Sequence, residues 1–95
     1  MYAFFTEDGM KYSIRKGILW QESDGEIIIV APKQDPVYLN VSGSDVWKLI
    51  DKNLDVTKIV EELSKKYSED EKIIEKDVKY IIKELLDGKY IKAVR

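Results

Sequence analysis

Residues 17–31 read GILWQESDGEIIIVA, and this stretch determines how the first part of the chain folds. Two runs rich in branched and aromatic residues, 17–22 and 26–31, flank Asp24 and Gly25. An Asp-Gly pair favours a type I′ turn, because both central residues of that turn need a positive φ. The stretch therefore predicts a β-hairpin, whose second strand ends where Pro32 removes a backbone donor.

A third strand is predicted at Val37, Tyr38 and Leu39. It is short and is the last strand before the helical part of the chain, so we expect it at an edge of the sheet. Val37 and Leu39 then share one face and Tyr38 takes the other, because side chains alternate along a strand. The pattern is weaker before residue 17, where we expect one further extended piece around residues 12–14.

From Ser42 onward the apolar residues follow a helical period, which predicts three helices. The first has Ser42 or Ser44 available as its N-cap, the second begins after Asp55, and the third ends at Gly88. The apolar tail, residues 90–94, is expected to pack back on the body of the domain. Each helix has an apolar stripe for the core: Val46, Trp47, Leu49 and Ile50; Val56, Ile59, Val60, Leu63 and Tyr67; Ile74, Val78, Ile81, Ile82 and Leu85.

Strands followed by three helices with short connections predict an α+β fold. We expect a winged helix-turn-helix-like domain, in which an N-terminal three-stranded antiparallel sheet precedes the three helices. In the usual winged order the strands follow the helices, so the order here is reversed. The 95 residues are enough for one domain, residues 1–95, in which residues 1–11 could form an N-terminal extension.

The composition excludes several kinds of chemistry. The chain has no cysteine and no histidine, which excludes disulfides, thiolate nucleophiles, Cys/His zinc sites and histidine-based triads. No phosphate loop, nucleophile elbow or metal-ligand set is visible, so we expect neither an enzyme nor a cofactor. No apolar run approaches the roughly 18 residues that span a bilayer. With no visible signal peptide either, we expect a cytoplasmic protein without a membrane partner.

The charge balance bears on nucleic-acid binding. Sixteen basic and eighteen acidic residues give a net charge of −2. Nucleic-acid binders usually carry a basic excess, because neutralising phosphates supplies much of their affinity. The third helix, a candidate recognition helix, has four lysines against six carboxylates: Asp70, Glu71, Glu75, Asp77, Glu84 and Asp87. A winged-helix DNA-binding domain is therefore the weaker alternative, and no nucleic-acid partner is expected.

An ordered series of residues carries a family resemblance. The series consists of Val37-Tyr38-Leu39-Asn40, then Val46 and Leu49 to Asp51, then 56–63, then Asp77-Val78, Ile82, Leu85 and Gly88-Lys89-Tyr90-Ile91. With the hairpin upstream, it resembles the PqqD family over roughly residues 12–92. Two departures are visible: Asp51-Lys52 stands where the family has Asp-Gly, and Asp55 stands where it has Thr. Neither departure touches the predicted core.

The resemblance implies a RiPP recognition element, a peptide-binding module described as winged-helix-like. Such modules bind the leader of a ribosomally made precursor peptide and present the rest of that peptide to a modifying enzyme. The enzyme is often a radical SAM protein or a leader peptidase. In the family, the leader lies as an added strand against the third strand, in a groove shared with the third helix.

The sequence suggests which residues would form that groove. On the third helix, at about 100° per residue, Ile73 and Tyr80 fall nearly opposite the core stripe, with Asp77 and Glu84 beside them. The apolar pair could bury a leader side chain, and the carboxylates could pair with a basic residue or cap backbone donors. Isolated apolar residues are also common on ordinary protein surfaces. The candidate peptide-binding residues are Val37, Tyr38, Leu39, Ile73, Asp77, Tyr80 and Glu84.

A third interpretation is a general protein-interaction module without preference for a leader peptide. An unpaired strand edge and an apolar tail serve a homodimer as readily as a peptide, so the sequence leaves the oligomeric state open.

Overall fold

A computed structural model describes residues 9–94 of the chain. It contains the expected three-stranded antiparallel sheet followed by three helices, with a second small sheet beside them. In chain order the elements are β1 (Lys11–Ile14), β2 (Leu19–Ser23), β3 (Glu26–Val30), β4 (Val37–Tyr38), α1 (Val41–Asp51), α2 (Val56–Tyr67), α3 (Glu71–Asp87) and β5 (Ile91–Val94).

The β2–β3 hairpin forms as the sequence predicts. Asp24 and Gly25 have φ angles of 51° and 83°, as a type I′ turn requires. The strands pair antiparallel from Ser23–Glu26 at the turn to Leu19–Val30 at the open end. β4 pairs with the other side of β3, which gives the strand order β2-β3-β4.

β1 and β5 form a separate two-stranded antiparallel sheet, in register from Lys11–Val94 to Ile14–Ile91. The extended piece expected around residues 12–14 is β1, and the apolar tail packs back as its partner strand. Tyr12 and Ile91 are both buried in the core. Of the expected N-terminal extension, residues 1–8 lie outside the described residues, whereas Met10 packs against the core.

The core lies between the sheets and the three helices. Trp47 of α1 is fully buried near its centre, and Trp20 of β2 meets it in a T-shaped arrangement with ring centroids 6.1 Å apart. The predicted stripes of α2 and α3 face this core, with one exception. Tyr67 at the end of α2 is 41% exposed, whereas Ile81 of α3 is half-buried and packs against the core.

Helix α1 begins differently from the prediction. Its N-cap is Asn40, whose Oδ1 accepts a hydrogen bond of 2.8 Å from the Gly43 amide, so neither Ser42 nor Ser44 caps it. Asn40 can take this position because its backbone is still extended as the chain leaves β4. Asp55 caps α2 as predicted, accepting a hydrogen bond of 2.8 Å from the Lys58 amide.

The end of α3 also departs from the expected use of its glycine. Gly88 is the C-cap but keeps a right-handed conformation, and the residue with positive φ is Lys89, at 63°. Gly88 is needed for space, because a Cβ there would overlap the ring of Tyr90. The Tyr90 hydroxyl donates to Gln34 Oε1 over 3.3 Å, which ties the β3–β4 loop to the end of α3.

Ser44 holds α1 against the sheet. Its fully buried hydroxyl accepts a hydrogen bond of 2.8 Å from the Ile27 amide of β3 and donates to the Leu39 carbonyl over 3.3 Å. The Leu39 amide in turn donates directly to the Ile27 carbonyl over 2.9 Å. The serine hydroxyl therefore links the Ile27 amide of β3 to the Leu39 carbonyl, in place of a direct hydrogen bond between them. This link holds the end of β4 against β3.

Replacing Ser44 with alanine should destabilise the domain by about 1–3 kcal/mol, because the buried Ile27 amide would lose its acceptor. The free energy of unfolding in urea measures the effect. Ser42→Ala is the matched control on the exposed side of the same helix and should stay within about 0.5 kcal/mol of wild type. Equal stabilities of the two variants would contradict the bridging role.

Candidate functional site

β4 offers an open strand edge. Among the described residues it pairs with β3 on one side only. Because hydrogen-bonded pairs alternate along an antiparallel ladder, the Leu39–Ile27 bond assigns the inward-pointing amides to Val37 and Leu39. The N–H and C=O of Tyr38 therefore point away from β3, towards the open side. One further strand could hydrogen-bond to the sheet there.

The side chains of this segment divide between two faces, as alternation predicts. Val37 and Leu39 are half-buried and pack against the core cluster. Tyr38 is 73% exposed and shares the outer face of the sheet with Ile28, directly opposite it on β3. The inner face of an added strand would therefore continue the surface formed by Val37 and Leu39.

A cavity of about 300 Å³ opens among the three helices, next to the point where the chain passes from β4 into α1. Its floor consists of buried apolar side chains, and half-buried Ile81 is also part of its lining. Its exposed lining residues are polar or acidic. The floor is formed by Val46, Leu63, Ile74 and Val78, and the exposed lining residues are Ser42, Tyr67, Glu69 and Asp77.

The four predicted residues of α3 do not all lie at this cavity. Asp77 lines it, whereas Ile73 and Glu84 are exposed on α3 and do not belong to its lining. Tyr80, 64% exposed, lines a different cavity of about 470 Å³ that α3 forms with β1 and the start of α2. The structure thus places Asp77 at the cavity that Ser42 also lines, and Tyr80 at a different cavity.

Ile81 packs against the core, as the sequence predicts, and also lines the cavity. It lies one turn after Asp77, so a wider search of the helical faces could have included it. Ser42, Tyr67 and Glu69 also line the cavity, and nothing in their local sequence distinguishes them. They lie on the start of α1, the end of α2 and the α2–α3 connection, which approach one another only in the folded chain.

A polar cluster fixes Tyr67 at the edge of the cavity. Asp45 of α1 is buried, and its Oδ1 and Oδ2 lie 3.0 and 3.2 Å from the Lys66 Nζ. The Tyr67 hydroxyl donates to Oδ2 of the same carboxylate. This hydrogen bond, together with burial and the Asp45 charge, raises the pKa of Tyr67 to about 12. All three effects favour the neutral phenol, which can donate to the carboxylate.

The raised pKa predicts a stability change at alkaline pH. An unfolded tyrosine loses its proton near pH 10, whereas folded Tyr67 keeps it to about pH 12. Tyr67 therefore contributes stability that is fully present below about pH 10 and is lost as pH rises towards 12. Urea unfolding across this range measures the loss, which Tyr67→Phe should reduce.

Phenolate absorbance gives a second test of the same cluster. The wild type should show a late phenolate step near pH 12 that is missing in Tyr67→Phe. Asp45→Asn should shift the late step to lower pH, because the hydrogen bond to a carboxylate is lost. Identical titration curves for wild type and Tyr67→Phe would contradict the assignment.

Within residues 9–94, no three Asp or Glu side chains lie close enough together to hold a metal ion.

In the described part of the chain, no helix combines the length and apolar character needed to cross a membrane.

Two comparisons with known proteins give matches. The family model described as coenzyme PQQ synthesis protein D (PqqD) matches residues 26–91. A solved structure, TbiB1 in complex with the TbiA(beta) leader peptide, is similar with a TM-score of 0.78 and 20% sequence identity. The likeness covers 83% of this chain and 93% of that one, and at this identity it shows a shared fold. No curated protein matches the sequence.

Proposed function

The chain belongs to the PqqD family, and from this premise we propose that it is a non-catalytic peptide-binding protein. It binds the leader of a ribosomally synthesised precursor peptide by strand addition along β4. It then delivers that precursor to a modifying enzyme, such as a radical SAM protein or a leader peptidase. The observation that carries the proposal is the open edge of β4 beside the apolar cavity. The similar solved structure supports it, because TbiB1 is there in complex with a leader peptide.

Strand addition uses backbone groups for affinity and side-chain pockets for specificity. A leader residue opposite Tyr38 would exchange two hydrogen bonds with its N–H and C=O. The leader residues on either side of that position would then face inward, next to Val37 and Leu39. An inward-facing side chain beyond Leu39 would approach the cavity beside Ser42.

The seven residues that the sequence suggests have different places in this proposal. Val37, Tyr38 and Leu39 form the strand edge, and Asp77 lies at the cavity. Ile73 and Glu84 would contact parts of the leader that extend over α3 outside the cavity. Tyr80 would be reached only by a leader that crosses α3 to the second cavity.

Replacing Tyr38 with proline tests the strand addition directly. Proline removes the outward amide without removing a bond to β3, so the sheet keeps its ladder. Leader affinity should fall by about tenfold, through the lost hydrogen bond and the ring at the edge. Fluorescence polarisation with labelled leaders encoded beside the gene measures the affinity.

Glu22→Pro is the matched control on the opposite edge of the sheet. Glu22 pairs with Ile27, whose carbonyl bonds to β4, so the Glu22 amide also points away from β3. This variant should bind leaders like wild type, and circular dichroism should show both variants folded. The proposal fails if Tyr38→Pro and Glu22→Pro have the same affinity for leaders. It also fails if no leader encoded beside the gene binds the wild-type protein with a dissociation constant below about 100 µM.

A further inference from the structure

Two of the five carboxylates of α3 form ion pairs along the helix. Glu75 and Asp87 each pair with a lysine one turn away, Glu75 with Lys79 at 3.0 Å and Asp87 with Lys83 at 3.2 Å. Asp77 has no ion pair within the described residues. The helix itself offers it none, because the residues three and four positions away on either side are all apolar: Ile73, Ile74, Tyr80 and Ile81.

The unpaired carboxylate of Asp77 lies where it could contact a ligand in the cavity. Asp77 and Glu69 both line the apolar cavity, whose lining includes no lysine or arginine. Both side chains are exposed and so can reach a ligand in the cavity mouth. The described carboxylates do not gather closely enough for a metal ion. The arrangement therefore suits a cation carried by a flexible organic group beside an apolar one.

Resting on the proposed function, we propose that this site selects leaders with a large apolar residue and a lysine or arginine two positions from it. The apolar side chain fills the cavity over Val46, Leu63 and Val78, and the cation pairs with Asp77, with Glu69 adding to the negative field. Residues two apart on a strand face the same side, about 7 Å apart. A lysine or arginine side chain is long enough to span from there to the exposed carboxylates.

The test of this charge selection changes the charge at position 77 of the protein and the charge of the leader residue that would pair with it. The probes are a labelled leader that binds wild type and the same peptide with glutamate in place of the basic residue. Wild type should prefer the basic peptide by about tenfold, and Asp77→Lys should lose or reverse that preference. The preference should shrink at high salt, because exposed ion pairs are screened.

Asp87→Lys is the matched control. It makes the same change in net charge on the same helix, but Asp87 does not line the cavity and already pairs with Lys83. This variant should keep the preference of wild type for the basic peptide. The inference is overturned if Asp77→Lys discriminates between the two peptides as Asp87→Lys does, or if the bound leader has no basic residue near its apolar anchor.

The two proposals fail in different ways. Suppose that leaders bind, that Tyr38→Pro lowers their affinity, and that Asp77→Lys keeps the wild-type preference for the basic peptide. Strand addition then stands, and the proposed charge selection is wrong. If no encoded leader binds wild type, the proposed function is wrong and the charge selection falls with it.

Discussion

The position of β4 depends on one buried hydroxyl. Ser44 accepts from the Ile27 amide and donates to the Leu39 carbonyl, so one side chain links α1, β3 and the end of β4. With Leu39 held in this way, its amide bonds inward to β3 and the backbone of Tyr38 is left to point outward. At the other end of β4, the Tyr90–Gln34 hydrogen bond ties the preceding loop to the connection between α3 and β5. Both ends of β4 are thus joined to neighbouring elements by side-chain hydrogen bonds.

Much of the fold follows from local sequence. The Asp24-Gly25 turn, the Asp55 cap and the helical periods each depend on residues close together in the chain, and these predictions are confirmed. The β1–β5 pairing joins the two ends of the described chain, which no local pattern specifies. The sequence does not identify the true N-cap, Asn40, because Ser42 and Ser44 are N-cap residues of similar preference close by.

The candidate site was harder to predict because it depends on what surrounds α3. A helical period separates buried from exposed positions, but it does not say which exposed side meets which neighbour. Asp77 and Tyr80 are only three residues apart, yet the neighbouring elements place them at different cavities. Ile81 packs against the core, as the helical period predicts, and in addition borders the cavity. The sequence could suggest β4 and α3 as the site, but the choice of side chains required the tertiary packing.

The short length of β4 determines where peptide affinity must come from. Tyr38 offers two outward backbone groups, and two hydrogen bonds contribute about 1–3 kcal/mol net. A dissociation constant of 100 µM corresponds to about 5.5 kcal/mol, so these two bonds fall short. Burying one large apolar side chain in the cavity adds about 1.5–3 kcal/mol, as much as the two hydrogen bonds together. In the proposed complex the edge would therefore set the register of the peptide, and the cavity with its acidic lining would select among peptides.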